Sequence, residues 1–329
     1  MKRANLAIVG ATGMVGAQFI EILEERDFPV EKIYFFASAR SAGRKIAFRG
    51  EIYEIEELTE NSFKRPIDIG LFSAGGAISG CFAPLLAAEG GVAVDNSSHF
   101  RMKPDVPLVV PEVNPKEIRR HKGIVANPNC STIQAVVALA PLHKAFGVKR
   151  VIYSTYQAVS GSGMGGWQDL EDGLKGGKPQ KYPHPIAHNL IPQVDVFLED
   201  GYTAEEAKMI NETRKILGAP YLKVTATCVR VPVFNSHSVS INVEFENIFD
   251  IQEVVNILKE APGVIVQDET SNCIYPMPVT ADGSDIVFVG RIRRDPTANA
   301  VNMWVVADNI RKGAATNAVQ IAELLLENM

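Results

Sequence analysis

The chain has 329 residues, of which 46% are hydrophobic and 22% are charged, a balance that is ordinary for a globular enzyme. Single hydrophobic cores usually stop growing below this length, so we expect two domains. The formal net charge is −5, with Lys and Arg scattered along the chain, which argues against a nucleic-acid partner. No apolar run approaches the ~18 residues that cross a bilayer, which argues against a membrane partner.

Strand-like and helix-like patterns alternate along the first third of the chain. In chain order we predict a strand at 6–9, a glycine-rich turn at 10–16, a helix at 17–25, strands at 32–36 and 67–72, a helix at 81–89 and a strand at 91–95. Strands that alternate with helices in this way predict an α/β fold with a parallel, doubly wound sheet of the Rossmann type.

The turn between the first strand and the first helix carries glycines at positions 10, 13 and 16. We expect Gly10 to allow a sharp turn, Gly13 to let backbone amides approach a phosphate, and Gly16 to let the helix pack closely. The helix N-terminus then favours the negative charge of a pyrophosphate. In this α/β context the pattern predicts a dinucleotide-binding turn, and a tight turn without a ligand is the alternative.

The residues that follow the second strand discriminate between NAD and NADP. An NAD enzyme usually places an acid there to accept hydrogen bonds from the ribose 2′-hydroxyl. This chain has the run ASARS at 37–41 instead, in which Arg40 is available to a 2′-phosphate. We therefore predict NADP (NADPH) as the cofactor, and a solvated surface arginine is the alternative.

From residue 131 onward the predicted strands are longer and fewer helices separate them. We predict a helix at 131–145 kinked by Pro141, strands at 148–157, 222–233, 236–246, 286–293 and 301–307, and a final helix at 314–326 whose apolar stripe includes Ala318, Val319, Ala322 and Leu325. This pattern predicts an α+β domain with a mixed sheet. The Gly- and Pro-rich stretch at 160–192 is predicted to be a long functional loop.

One of the four cysteines stands out. Their wide spacings predict neither a disulfide framework nor a cysteine-based metal site, and they suit a reducing cytoplasm. Cys130 directly precedes the helix at 131–145, where backbone amides and the helix dipole stabilise a thiolate. A dehydrogenase acting at the acyl level needs a covalent carrier, and a thioester can exchange hydride with nicotinamide. Cys130 is the candidate nucleophile, with a small buried hydrophobe as the alternative.

Six histidines are candidates for the acid/base that such a nucleophile needs. His237 lies between two predicted strands, a position from which a side chain can project into a cleft. His184 and His188 have a spacing that would suit zinc on a helix, but Pro183 and Pro185 forbid a regular helix there. We therefore predict no metal site.

Five segments resemble the aspartate-semialdehyde dehydrogenase family, in order along essentially the whole chain. They are GATGMVG at 10–16, SSHFR at 97–101, NPNCST at 127–132, YQAVSG at 156–161 and CVRVPVFNSHS at 228–238. The resemblance implies a reversible reaction in which L-aspartyl 4-phosphate and NADPH give L-aspartate 4-semialdehyde, NADP and phosphate. This reaction would serve the biosynthesis of lysine, through diaminopimelate, and of methionine and threonine.

The resemblance also implies a role for each matched residue. Cys130 would carry the acyl thioester, His237 would be the acid/base, and Gln157 would orient the acyl intermediate. The substrate contacts are Arg230 for the α-carboxylate, Glu212 for the amino group, and Arg101 and Lys215 for the phosphate, with Asn129 nearby. The cofactor contacts are Gly10, Thr12, Gly13, Met14, Val15, Arg40, Ser41, Ser160, Gly161 and Asn309. Without the resemblance, the segment at 204–215 that holds Glu212 and Lys215 has the pattern of a solvated helix face.

The resemblance further implies the domain organisation. Residues 1–129 would form the NADP-binding domain, completed by a C-terminal helix at 310–329, and residues 130–309 would form the catalytic and dimerisation domain. A cytoplasmic homodimer, or a tetramer made of dimers, is expected through the second domain.

Three other functions compete with this interpretation. A reductase of N-acetyl-glutamyl phosphate would use the same cofactor fold and cysteine, but its substrate has no ammonium for Glu212 to pair with. A phosphorylating glyceraldehyde-phosphate dehydrogenase would be expected to carry the acid for NAD after the second strand. A non-catalytic relative would be expected to lose the nucleophile or the base, whereas Cys130 and His237 are both present.

Overall fold

The computed structural model describes residues 2–328, and the chain divides into two compact units. The first unit comprises Met1–Pro128 and Ala314–Met329, and the second comprises Asn129–Gly313. The predicted domain boundaries lie after residues 129 and 309. Each unit has its own six-stranded sheet, so the chain is a two-domain α/β protein.

The first unit is an α/β unit that the end of the chain completes. Its elements are β1 (Ala4–Val9), α1 (Met14–Glu25), β2 (Val30–Ala37), β3 (Lys45–Phe48), β4 (Glu51–Glu54), β5 (Glu56–Glu57), β6 (Ile69–Phe72), α2 (Gly76–Ala88), β7 (Val92–Asp95) and β8 (Ile124–Ala126). Short 3₁₀ turns lie at Ala39–Ser41 and Pro115–Arg120, and the last helix of the chain is Thr316–Asn328.

The sheet of the first unit has the strand order β5-β2-β1-β6-β7-β8, and every neighbouring pair is parallel. Counted along the chain within this sheet, the order is 3-2-1-4-5-6, the doubly wound Rossmann arrangement. The predicted parallel sheet is therefore confirmed. The order reverses between β1 and β6, and open α/β sheets bind their ligands at such a point.

Burial explains why these segments form these elements. All residues of β6 and β7 are buried, as expected for strands that are covered on both faces. The last helix, Thr316–Asn328, buries Ala318, Val319, Ala322 and Leu325, which confirms the predicted apolar stripe.

Two local predictions for the first unit were wrong or incomplete. The second helix begins at Gly76 rather than at residue 81, because Gly75, with a φ of 88°, already turns the chain into the helix. β3 and β4 pair as an antiparallel hairpin that was not predicted. Both strands are only four residues long and mostly exposed, so they lack a strong hydrophobic pattern.

The second unit is an α+β unit. Its elements are α3 (Cys130–Phe146), β9 (Val148–Gln157), α4 (Met164–Leu174), α5 (Ala204–Ile216), β10 (Lys223–Arg230), β11 (His237–Phe245), α6 (Ile251–Glu260), β12 (Val264–Val266), α7 (Pro278–Ala281), β13 (Val287–Arg294) and β14 (Ala300–Ala307). Short 3₁₀ turns lie at Val159–Ser162 and Thr270–Asn272, and a π-helical turn at Arg311–Ala315 precedes the last helix of the chain.

The sheet of the second unit is mixed, as predicted. Its strand order is β10-β9-β11-β14-β13-β12; the two outer pairs are parallel and the three inner pairs are antiparallel. Along β11, Val239, Ile241 and Val243 are buried while Ser240 and Asn242 are half-buried. This alternation shows that one face of the sheet packs against the core and the other is more open.

The prediction of one long loop at 160–192 was wrong. The segment contains part of the 3₁₀ turn Val159–Ser162 and the helix α4. The buried Asp169 carboxylate of α4 accepts backbone N–H bonds of 2.8 Å from Gln180, Lys181 and Tyr182, which folds the following chain back onto the helix. The glycines within α4 misled the sequence prediction, because glycine disfavours a helix interior.

Candidate active site

Cys130 is the first residue of α3, one residue earlier than the predicted start of that helix. Asn129 caps the helix: its Oδ1 accepts the backbone N–H groups of Ser131 at 3.0 Å and Thr132 at 3.2 Å. The Cys130 side chain is half-buried, whereas Cys228 is buried and its burial raises the pKa of that thiol. Cys130 is thus the accessible thiol at a helix N-terminus, where a thiolate is favoured.

His237 begins β11 and is completely buried. Its Nδ1 accepts the backbone N–H of Ala158 at 3.0 Å, so the neutral ring carries its proton on Nε2. Burial, and then the charge of Arg230, hold the pKa of His237 well below its ordinary value. The imidazole is therefore neutral at physiological pH. Among the described residues, no atom hydrogen-bonds to Nε2, which leaves its N–H for a ligand.

Arg230, the last residue of β10, lies beside His237. Its Nη1 donates to the Ala158 carbonyl oxygen at 2.6 Å, so the backbone of Ala158 orients both side chains. A Cβ atom added to Gly161 would lie 2.9 Å from Arg230 Nη1 and 3.0 Å from His237 Nε2. The guanidinium and the imidazole therefore converge on a place that only glycine leaves open.

Gln157 ends β9 and is buried. Its Nε2 donates to Glu205 Oε1 at 3.0 Å, and its Oε1 accepts from the Thr155 hydroxyl at 3.0 Å. The carbonyl oxygen and the amide nitrogen of Gln157 are thus each assigned a partner, which fixes the orientation of the side chain.

Glu212 and Lys215 lie on α5. Glu212 is buried and accepts the backbone N–H of Asn129 at 2.6 Å, while Lys215 is half-buried in the last turn of the helix. The expectation of a solvated helix face at 204–215, drawn without the resemblance, was wrong. Glu205 and Glu206 are also buried, because backbone and side-chain donors satisfy their carboxylates.

Asn309 follows β14 and connects two other segments of the second unit. It exchanges hydrogen bonds with the Ser160 hydroxyl at 3.1–3.2 Å, and its Oδ1 accepts the backbone N–H of Ser236 at 2.9 Å. Ser160 and Asn309 are buried, whereas Gly161 is exposed. These three predicted cofactor contacts therefore lie close to the residue that precedes His237.

Two residues of this site were missed by the sequence reasoning. Glu205 belongs to no recognisable motif. Its only sequence signal is that it lies on the same helical face as Glu212, seven residues further along the chain. Gly313 lies in the π-helical turn, and a Cβ atom there would be 3.0 Å from Cys130 Cβ. No sequence signal marks that close approach.

The first unit holds the glycine-rich turn. Gly10 has a φ of 90°, and a Cβ atom there would lie 2.7 Å from the carbonyl carbon of Ser73. A Cβ at Gly16 would collide with the carbonyl oxygen of Gly10. At Gly13 the nearest protein atom, the oxygen of Gly10, is 3.4 Å away, so the protein itself leaves room for a side chain there.

A cleft of about 390 Å³ opens at this turn, at the carboxyl ends of β1, β2 and β6. Its lining includes Gly10, Thr12, Gly13, Ala37, Ser38, Leu58, Ser73, Ala74, Ile78 and Phe82. Met14 and Val15 start α1, whose cap residue Gly13 provides no side chain to its amides. An apolar cleft beside open helix amides suits an adenosine ring and a phosphate group.

The remaining predicted residues of the first unit are Arg40, Ser41 and Arg101. Arg40 is exposed in the 3₁₀ turn after β2, and Ser41 beside it is buried. Arg101 is buried, and it donates to the carbonyl oxygens of Asn96 and Asn127, both at 2.9 Å. These two backbone carbonyl oxygens orient its guanidinium.

Two features are absent from residues 2–328. No helix in that range has the length and apolar character of a membrane span. Nor does that range hold a group of three His, Cys, Asp or Glu side chains placed to bind a metal ion.

Comparison with known proteins identifies the family. The family model "Semialdehyde dehydrogenase, NAD binding domain" matches residues 5–121, and "Semialdehyde dehydrogenase, dimerisation domain" matches residues 139–312. The aspartate-semialdehyde dehydrogenase of Aquifex aeolicus is 56% identical over an alignment of 334 positions that covers 98% of each chain. The chain belongs to the aspartate-semialdehyde dehydrogenase family. It is therefore an oxidoreductase of amino-acid biosynthesis with an N-terminal nicotinamide-dinucleotide-binding domain.

Solved structures of the family agree with this assignment. Aspartate-semialdehyde dehydrogenase II of Vibrio cholerae, complexed with ASA, has a TM-score of 0.96 and 44% identity, covering 100% of this chain and 99% of that one. The Candida albicans enzyme with NADP has a TM-score of 0.80 and 26% identity, covering 98% of both chains. All three of these relatives carry the name aspartate-semialdehyde dehydrogenase.

Proposed function

We propose that this protein reduces L-aspartyl 4-phosphate to L-aspartate 4-semialdehyde, with release of phosphate, through a thioester on Cys130. NADPH is the hydride donor, and the reaction is reversible. The observation that carries the proposal is the convergence of His237 Nε2 and the Arg230 guanidinium on Gly161, in the same unit as an accessible helix-terminal thiol. Family membership and the Vibrio cholerae complex with ASA, which we take as aspartate semialdehyde, support the substrate.

In the proposed reaction, the Cys130 thiolate attacks the acyl carbon and the bond from that carbon to the phosphate oxygen breaks. Phosphate leaves and a thioester remains on Cys130. NADPH held at the glycine-rich turn would supply the hydride that reduces the thioester carbon. The resulting hemithioacetal then collapses to the aldehyde and regenerates the Cys130 thiolate.

His237 acts on the acyl oxygen through its Nε2–H, which is the form that the acid/base role takes while the ring stays neutral. The Nε2–H donates a hydrogen bond to the negative oxygen that develops in each tetrahedral intermediate, and the hemithioacetal collapses from that oxyanion without taking the proton. The low pKa of His237 keeps the ring neutral, and the Ala158 amide keeps the proton on Nε2. A neutral imidazole can polarise an acyl oxygen in this way.

The substrate is held by charge complementarity. We assign Arg230 to the α-carboxylate, because its guanidinium can form two parallel hydrogen bonds, and Glu212 to the amino group. Arg101 and Lys215 are assigned to the phosphate, with Asn129 nearby. Gln157 orients the acyl group.

NADP is the proposed cofactor. We assign its pyrophosphate to Gly10, Thr12, Gly13, Met14 and Val15. The protein itself leaves room for a side chain at Gly13, so close approach of a ligand accounts for the glycine there. The 2′-phosphate is assigned to Arg40 and Ser41, and the absence of an acid at 37–41 argues against NAD. Ser160, Gly161 and Asn309 complete the cofactor contacts. The Candida albicans relative with NADP supports this choice.

We further propose a homodimer through the more open face of the second sheet. This face presents the half-exposed ring of Tyr156, which packs against Trp304 at 5.2 Å between ring centroids. A groove of about 410 Å³ beside it is lined by Tyr275, Met277 and Trp304 among others. The dimerisation-domain model covers these residues. We propose a cytoplasmic enzyme that serves the lysine, methionine and threonine pathways.

An NADP-reduction assay with aspartate semialdehyde, with and without phosphate, tests the proposed function. Wild type should turn over only with phosphate, and Cys130→Ser should lose turnover. Cys273→Ser, which changes an exposed cysteine of the same unit, is the matched control and should behave as wild type. Absence of phosphate-dependent turnover in wild type would refute the substrate, and an active Cys130→Ser would refute the mechanism.

A further inference from the structure

One buried carboxylate contacts two amide side chains of the candidate active site at once. Glu205 Oε1 accepts from Asn129 Nδ2 at 2.8 Å and from Gln157 Nε2 at 3.0 Å. The Glu205 side chain is only 7% exposed, so these bonds form away from solvent. The proposed function assigns no role to Glu205.

The chemistry of a carboxylate makes these contacts directional. An ionised carboxylate only accepts hydrogen bonds, so it selects the NH₂ side of each amide. The Oδ1 of Asn129 is thereby turned toward the N–H groups of Ser131 and Thr132, and it caps the helix that starts at Cys130. The Oε1 of Gln157 is turned toward the Thr155 hydroxyl. One charged group thus fixes the orientation of both amides.

The charge of Glu205 is maintained by a neighbouring ion pair. Lys208 Nζ lies 3.1 Å from Glu205 Oε2 and 2.7 Å from Asp195 Oδ2. Burial alone would raise the pKa of the Glu205 carboxyl, but Lys208 and the amide donors of Asn129 and Gln157 outweigh it and hold the pKa below its ordinary value. Glu205 is therefore ionised at neutral pH.

We infer that Glu205 is a positioning residue: it sets the capping asparagine beside the nucleophile and the acyl-binding glutamine in their reactive orientations. The inference rests on the proposed function for its link to catalysis. Glu205 does not touch the reacting atoms; it acts through Asn129 and Gln157.

Two substitutions of Glu205 separate positioning from general stability. Glu205→Leu removes both acceptor oxygens, and kcat should fall about 10- to 100-fold while the KM for aspartate semialdehyde changes little, because small misplacements of reacting groups are costly. Glu205→Gln keeps one oxygen that can accept from both amides, so kcat should fall less. Glu206→Gln is the matched control, since Glu206 is buried on the same helix but accepts backbone N–H groups of Thr203 and Cys228. Its kcat should stay near that of wild type.

Lys208→Met tests the charge of Glu205 through the pH dependence of kcat, which would not change if Glu205 had only a structural role. The titratable groups near Glu205 include Lys208 on α5, Asp195 beyond Lys208, and the Cys228 thiol on β10. Without Lys208, burial should raise the pKa of Glu205. As the pH falls through that raised pKa, the carboxyl gains a proton and loses its charge, so its remaining carbonyl oxygen accepts more weakly from the two amides. The acid limb of the kcat profile should therefore move to higher pH than in wild type.

Amide hydrogen exchange of the first turn of α3, followed by mass spectrometry, needs no substrate. In Glu205→Leu, exchange at Ser131 and Thr132 should become about five- to tenfold faster, the factor expected for a weakened helix cap, and Glu206→Gln should not change it. If wild type lacks the proposed activity, this arm still decides whether Glu205 holds Asn129.

Near-normal kcat in a folded Glu205→Leu would overturn the inference, whatever the exchange shows, and so would unchanged exchange. If Glu205→Leu does not fold, the other two variants test the inference. An unchanged kcat in Glu205→Gln together with an unshifted acid limb in Lys208→Met would overturn it.

Discussion

The glycine-rich turn at 10–16, which we propose as the cofactor turn, and the site around Cys130, Gln157, Arg230 and His237, which we propose as the acyl site, are built in different ways. The turn relies on backbone: Gly10 and Gly16 have no space for a side chain, and the amides of α1 are open to a ligand. The acyl site relies on buried side chains that orient one another, such as Glu205 with Gln157. Backbone sites depend on space, whereas side-chain networks depend on the chemistry of each partner. Substitutions should therefore affect the two regions differently.

The largest expected effect is at His237, the proposed acid/base residue. His237→Gln should lower kcat by about 10²–10⁴-fold with a smaller effect on KM, because acid/base catalysis contributes that much. In wild type, kcat should stay level as pH falls through the ordinary histidine range, since the low pKa of His237 keeps the ring neutral there. Steady-state kinetics over a pH series measure both. A wild-type kcat that declines near the ordinary pKa of histidine would contradict the neutral ring.

A smaller effect is expected at Gly161, where the acyl site depends on space. Gly161→Ala puts a methyl group 2.9 Å from Arg230 Nη1 and 3.0 Å from His237 Nε2, so both side chains must shift. We expect kcat/KM to fall about 10- to 100-fold. Gly165→Ala is the control, because its new Cβ would meet only the Lys181 side chain, at 3.6 Å. Equal activities of the two variants would show that the site tolerates the shift.

At the cofactor site, the charge of Arg40 should affect the binding of NADP. Arg40→Asp should raise the KM for NADP about tenfold or more, the factor for losing one charged hydrogen bond, and should change the KM for NAD much less. The KM values for both cofactors, measured on wild type and variant, check this. Equal effects on NADP and NAD would remove Arg40 from the 2′-phosphate site.

The smallest effect is expected at Gly13, where a substitution should affect cofactor binding but not the stability of the fold. Gly13→Ala should leave the melting temperature unchanged, because the nearest protein atom to the new Cβ is 3.4 Å away, but it should raise the KM for NADP several-fold. Thermal unfolding and kinetics measure the two parts. A large loss of stability with unchanged KM would mean that Gly13 serves the protein backbone instead.

The fold could largely be predicted from the sequence, since periodicity depends on neighbours along the chain. The strands of the Rossmann sheet are short apolar runs, and the stripe from Ala318 to Leu325 has a clear helical period. The helix α4 escaped prediction because it contains glycines and because Asp169 binds backbone groups that lie 11 to 13 residues away. Local propensity does not carry that contact.

The candidate site divides in the same way. Cys130 could be proposed from its position before a helix, and the glycine turn from its spacing. The burial of Glu205 and Glu212 could not, because a carboxylate buried by amide donors has the same local pattern as one in solvent. The approach of Gly313 to Cys130 joins residues far apart in the chain, so only the folded structure shows it.

The proposed thioester on Cys130 can be tested by mixing the enzyme with aspartate semialdehyde and NADP without phosphate. We expect a burst of about one NADPH per active site, with an aspartyl adduct on the Cys130 peptide by mass spectrometry that disappears when phosphate is added. Steady turnover without phosphate, or a burst with no adduct on Cys130, would contradict it.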